Sequence, residues 1–175
     1  MIVVFGSLNA DFFLNINHFP EPGETILTPK TVVKAGGKGG NQAAAAGKVG
    51  AVVKMVGAVG IDTISDVPLN ALKMATVDVT PVVKSNNSTG MAMIMVDVTG
   101  ENSIVVASGA NLDLKAEHVP QNFYSKENVF VFQMETEKQE TFKVINKAKL
   151  SGAKVVLNVA PANEVPINIL KNVDY

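Results

Sequence analysis

Cysteine is absent from the 175 residues, which excludes disulfides, thiolate zinc sites and a cysteine nucleophile. Arginine is absent too. All 15 basic residues are lysines, so the chain offers no bidentate guanidinium clamp for a phosphate or a carboxylate. The formal net charge is only −1 and the charges are scattered, which argues against a basic nucleic-acid surface and a polybasic membrane patch. Long apolar runs are missing as well. None reaches membrane-spanning length, and the opening MIVVFGSLNAD carries neither a basic n-region nor a cleavage site. The expectation is a soluble, cytoplasmic protein. With 47% apolar residues, what is present suffices for one domain with a real core.

Short apolar runs punctuated by glycine set the architecture. Residues 2–5 (IVVF) end at Gly6 and read as a strand buried on both faces, as in a parallel sheet. Residues 51–56, 129–134 and 155–159 repeat that pattern. Helices are predicted over 41–49, 64–74, 137–150 and 163–172, with Gly50 and Gly152 as stops and Pro68 in a first turn. Two hairpins stand apart from these. Residues 12–17 and 25–34 are less uniformly apolar strands joined by the turn FPEPGE, and 91–98 pairs with 103–107 around TGEN. The sum is an α/β chain, a Rossmann-like, mostly parallel sheet flanked by helices, plus a small separate sheet. About four core strands would be small for a doubly wound sheet. The closing ILKNVDY reads as the start of a further strand, so the C-terminal half of such a fold is expected to be absent from these residues.

The stretch AGGKGGNQAAAAGKVG, residues 35–50, is the most unusual in the chain. It is not a Walker A loop, because Gly37-Lys38 is followed by Gly39 and position 32 is Val. It is not a G-x-G-x-x-G fingerprint either, since Gln occupies position 42. Glycine lets the backbone take positive φ and approach a ligand closely. A following helix would bring unpaired N–H groups at its start, forming with the glycines a shelf of donors suited to hydroxyl oxygens. Asn41 would add an amide that both donates and accepts. A tight turn before a closely packed, alanine-faced helix fits the same letters.

Acidic partners come from two other places. Asn9 and Asp11 are two apart, so on an extended segment they share a face, where the first core strand leaves the sheet. A carboxylate there can accept from two neighbouring hydroxyls, although taken alone these residues favour an Asn/Asp turn at a strand end, for local reasons. Glu135 follows the apolar strand VFVFQM and is either another hydroxyl contact or an acid stabilised at a helix start.

Taken together, GSLNAD (6–11), PEPGET (20–25), GGKGGNQA (36–43), GAVGID (57–62), TGENSIVVASGAN (99–111), QMETE (133–137) and LNVAPA (157–162) resemble the PfkB family of sugar kinases. The GGKGxNQA form is similar to its ribokinase branch. The resemblance implies that Asn9, Asp11, Gly37, Lys38, Asn41 and Glu135 hold the hydroxyls of a pentose. It implies a partial α/β core made of 1–11, 35–90 and 108–175, with 12–34 and 91–107 as a β-sheet lid that closes over the sugar and pairs with a second subunit's lid. The family reaction moves the γ-phosphoryl of ATP to the 5-hydroxyl of D-ribose, with Mg²⁺ and a monovalent cation such as K⁺. The family's catalytic base is an Asp in a G-A-G-D segment, and no such segment occurs here. That base, the N-x-x-E motif, the nucleotide pocket and the cation site are implied to lie beyond Tyr175, which would leave this chain inactive alone. Two other readings remain, a non-catalytic protein that binds sugar or dimerises through the lid, and a family kinase for another sugar or nucleoside. The chain departs from the pattern at Gly40, where alanine is usual, at Ile61 and Ser65, and at Thr76, where glycine is usual.

Overall fold

Four short apolar strands lie side by side, the first of them buried along nearly its whole length and the others buried mainly on one face or in part. They are β1 (Ile2–Phe5), β4 (Val53–Val56), β9 (Val129–Phe132) and β10 (Lys154–Leu157), numbered here by their place in the whole chain, all parallel, in the order β10-β9-β1-β4. The computed structural model describes residues 1–162 and 164–175. Alternation along β1 builds two cores at once. Val3 and Phe5 face Phe130, Phe132 and the helix α3 (Lys138–Leu150). Val4 faces Met55, Leu8 and Leu72, under α1 (Lys38–Lys48) and α2 (Asp66–Met74). This is the Rossmann-like layer expected from the sequence, with helices on both sides.

The second sheet is the one for which the resemblance implies a lid. It contains β2 (Asn9–Asn15), β3 (Thr31–Gly36), β7 (Gly90–Val96) and β8 (Asn102–Ala107) in the order β3-β2-β7-β8. The two predicted hairpins are thus fused into one sheet, because β2 pairs in parallel with β7 from Asn9↔Gly90 onward. A two-stranded piece, β5 (Ala58–Gly60) with β6 (Val83–Ser85), and a short helix α4 (Ile167–Leu170) complete the elements.

Beyond shifts of a residue or two at strand and helix ends, four differences from the sequence reading stand out. The first strand of the second sheet begins at Asn9 rather than at residue 12, since the chain pairs with Gly90 as soon as it leaves the buried Gly6–Leu8 crossing. Strand 25–34 contracts to Thr31–Gly36; residues 16–30 hold no strand, and Pro20, Pro22 and Pro29 lack the N–H a ladder needs. The fourth helix is confined to Ile167–Leu170 behind Pro166, and the predicted start at 163 lies outside the described residues. Helix α1 starts at Lys38, three residues before Asn41, so Gly39 and Gly40 belong to its first turn. Close packing explains the last case: a Cβ on Gly39 would lie 2.6 Å from the Ser7 nitrogen.

Candidate functional site

The ends of β1 and β9 and the start of α1 meet at the carboxyl edge of the parallel sheet, where ligands of open α/β folds collect. Ser7, fully buried, is the junction. Its hydroxyl donates to Glu135 Oε2 at 2.7 Å and accepts the Gly39 N–H at 3.2 Å, while its carbonyl accepts the Gly40 N–H at 2.9 Å. Glu135 Oε2 also accepts the Lys38 N–H at 2.8 Å, and Oε1 pairs with Lys38 Nζ at 2.9 Å. The first amides of α1 are therefore occupied by protein atoms. The shelf of free donors expected there is not present, because amides at a buried helix start need partners within the fold. Burial alone would push the Glu135 carboxyl up. The Lys38 amide, the Ser7 hydroxyl and the Lys38 ammonium outweigh it and hold the group below the ordinary glutamate value.

Gly37 has φ +82°, and a Cβ there would come 2.9 Å from the Ser7 carbonyl oxygen, so glycine is required on both counts. Asp11 lies opposite Lys34 in the β2–β3 ladder, beside the Asn9↔Gly36 pair. Its carboxylate rests over Gly36, where a Cβ would fall 2.0 Å from Oδ2. Asp11 Oδ1 is buried and has no hydrogen-bond partner. Burial, followed by the nearby Glu135 charge, raises the Asp11 carboxyl above its usual range, and Lys38 opposes the shift only in part. The Asn41 side chain is exposed and makes no hydrogen bond among the described residues.

All six residues singled out in the sequence line one cleft of about 130 Å³: Asn9, Asp11, Gly37, Lys38, Asn41 and Glu135. Its opposite wall is the lid, with Ala92, Ile94, Ile104 and Val106 on the same sheet face as Asp11. A polar floor with one unpaired carboxylate oxygen and the carboxamides of Asn9 and Asn41, under an apolar cover, suits a small polyol whose hydroxyls point down and whose C–H face points up. A second cleft of about 220 Å³ between α1 and α2 is lined mainly by Ala35, Ala44, Ala71 and Leu72 and gathers no carboxylate. The sequence reading missed Ser7 and the lid wall. Ile94 and Ile104 read as hairpin core, and only their register places them over Asp11. Asn111 closes the TGENSIVVASGAN motif, but no role was assigned to it there, and it reaches Asn9 from about a hundred positions away by the fold alone.

The chain matches the family described as pfkB family carbohydrate kinase over residues 1–173, and it belongs to that family. It is 38% identical over 176 residues to the ribokinase of Haemophilus influenzae, covering 99% of this chain and 58% of that protein. To the deoxyribokinase of Salmonella typhi it is 35% identical over 164 residues, covering 92% of this chain and 54% of the relative. Among solved structures, Arabidopsis thaliana ribokinase complexed with ribose and ATP superposes with a TM-score of 0.88 at 30% identity, covering 99% of this chain and 58% of the other. The chain thus spans between half and three-fifths of the length of these relatives.

Proposed function

We propose that this chain is the sugar-holding part of a kinase that transfers the γ-phosphoryl group of ATP to the 5-hydroxyl of D-ribose. The observation that carries the reading is the Asp11 oxygen, buried and unpaired at the floor of the cleft. A buried carboxylate oxygen without a donor is unfavourable unless a ligand supplies one. A sugar hydroxyl does so, and a charge-assisted bond of that kind contributes about 1.5–3 kcal/mol. Asn9 and Asn41 orient the neighbouring hydroxyls, and the lid wall excludes water from the sugar's upper face.

ATP as donor is supported by the ribose- and ATP-bound structure of the Arabidopsis relative. Mg²⁺ and K⁺ are proposed from the family resemblance alone. Among the described residues no group of three His, Asp or Glu side chains converges to hold a metal ion, so no step is routed through one here. The 175-residue polypeptide is expected to bind the sugar without phosphorylating it, since it contains no G-A-G-D segment. A cytoplasmic location is part of the same proposal.

Homodimer formation through the lid is also proposed. On the lid face turned away from Asp11, Val33, Phe12, Met93 and Val105 lie in one row across the four strands. Val33 is 42% exposed and Val105 61% exposed, an apolar stripe suited to a second copy of the same sheet.

A second reading keeps the reaction and changes the acceptor to 2-deoxy-D-ribose, which the deoxyribokinase relative favours. Calorimetric titration of both sugars into the chain separates the two. D-Ribose is expected to bind more tightly. Asp11→Ala should weaken it about tenfold or more, which is the loss of one charge-assisted bond. An affinity for ribose that stays within about twofold after the substitution would remove the basis of the proposal.

A further inference from the structure

Asn111 sits in the turn Gly109–Asp113 that follows β8 and is 1% exposed. Its Oδ1 accepts the Leu8 N–H at 2.8 Å. Its Nδ2 donates to Asn9 Oδ1 at 2.8 Å and to the Leu8 carbonyl at 3.3 Å. These bonds have a direction. A main-chain N–H only donates, so it fixes which end of the Asn111 carboxamide faces Leu8. The NH₂ end must then face Asn9, and an NH₂ group only donates. Asn9 is turned with its oxygen toward Asn111, and its Nδ2 is left for the cleft that Asn9 lines. Among the described residues Nδ2 has no partner. Gly90 makes this possible at the root of the lid: a Cβ there would lie 2.2 Å from Asn111 Nδ2 and 2.3 Å from Asn9 Oδ1.

We infer that Asn111 is a positioning residue for the acceptor sugar, holding Asn9 as a hydrogen-bond donor beside the Asp11 acceptor through a directional relay that begins at the Leu8 amide. A donor and an acceptor two residues apart on one strand face match two neighbouring hydroxyls, one accepting from Asn9 and one donating to Asp11. Without the relay the Asn9 carboxamide is free to turn, and in half of its orientations it presents a second acceptor next to a carboxylate. The inference rests on the sugar-binding reading above and adds which residue sets its polarity.

The test is a double-mutant cycle read as D-ribose affinity by calorimetry on the 175-residue chain. Asn9→Ala and Asn111→Leu are each expected to weaken binding about tenfold, and the double variant no more than Asn9→Ala alone. Melting temperature serves as the contrast, because Asn111→Leu strips the Leu8 N–H of its partner and should lower stability in both backgrounds. Asn111→Asp covers the case in which Asn111→Leu does not fold. It keeps an acceptor for Leu8 but presents only acceptors to Asn9, so Asn9 turns around and ribose affinity falls at least tenfold, by the same donor logic. Unchanged affinity in either folded Asn111 variant, or an equal further loss in the Asn9→Ala background, overturns the inference alone. A wild-type chain that binds no pentose overturns the sugar-binding reading and the inference with it.

Discussion

Thr76→Gly should make the protein more stable. Thr76 follows α2 with φ +59°, the one residue other than glycine with positive φ among those described. It occupies the position just past the helix cap, where the Val77 N–H returns to the Leu72 carbonyl at 3.0 Å and the Thr76 N–H to Lys73 at 3.0 Å. That closure needs a left-handed residue, and glycine meets the need without a Cβ. An L-residue there costs roughly 1–2 kcal/mol, and branching at Cβ does not relieve it. Two terms oppose the gain. Glycine frees the unfolded chain by about 0.4–1 kcal/mol, and the exposed Thr76 hydroxyl loses its 2.7 Å bond to the Ala75 carbonyl. The balance is a stabilisation of about 0.5–1 kcal/mol, or roughly 1–4 °C in Tm for a domain of this size. Thermal melts and urea titrations at one pH measure it. Thr76→Ala is the control: it keeps the Cβ and loses the hydroxyl, so it should gain less than glycine. If Thr76→Gly is no more stable than the parent, or alanine matches glycine, the strain argument is wrong.

Other outcomes follow from the same geometry. Gly40→Ala should be neutral to stabilising by up to about 1 kcal/mol, because its Cβ would press only on the flexible Leu8 Cδ2 at 3.2 Å, with the Ser7 carbonyl oxygen at an ordinary 3.8 Å, while the helix gains propensity. Gly39→Ala should destabilise clearly in the same melts, since its Cβ would meet the Ser7 backbone. Asp11→Asn should raise Tm at pH 7 and abolish most sugar affinity. The folded-state value of Asp11 is raised above 3.8, so its contribution to stability is fully present below 3.8 and is lost as pH rises through the folded value. The amide has no charge to lose, and the gap in Tm between variant and parent should therefore close toward acid pH. Glu135 runs the other way: its folded value is lowered below 4.5, so its contribution holds above 4.5 and is lost as pH falls through the folded value. Glu135→Gln should accordingly lower Tm at pH 7, with the deficit shrinking in acid.

The order of elements was legible because short strands packed in a core leave apolar runs in the composition. IVVF, VKMV, VFVF and KVVL all became core strands, and both glycine stops, Gly50 and Gly152, sit at positive φ. The site was legible to the extent that its residues cluster in short motifs at strand ends, which a parallel sheet gathers at one edge. Helix α1 was misjudged at its start because glycine signals a loop locally, whereas here it signals contact with Ser7. The free-amide shelf failed for a related reason: sequence shows that donors exist but not that Glu135 and Ser7 already hold them. Asn111 and the Ile104–Val106 wall depend on lid register, which pairing between distant strands decides. Thr76 is the reverse case. Its departure from the glycine expected there is visible in the sequence, and the structure supplies the conformational reason it matters.

The most direct test of the whole account is a crystal structure of the chain with D-ribose. The account predicts the pentose in the cleft between β2 and α1, with one hydroxyl donating to the Asp11 oxygen that now has no partner and another accepting from Asn9 Nδ2. A ribose bound in the groove between α1 and α2, or anywhere that leaves Asp11 Oδ1 without a donor, would contradict it.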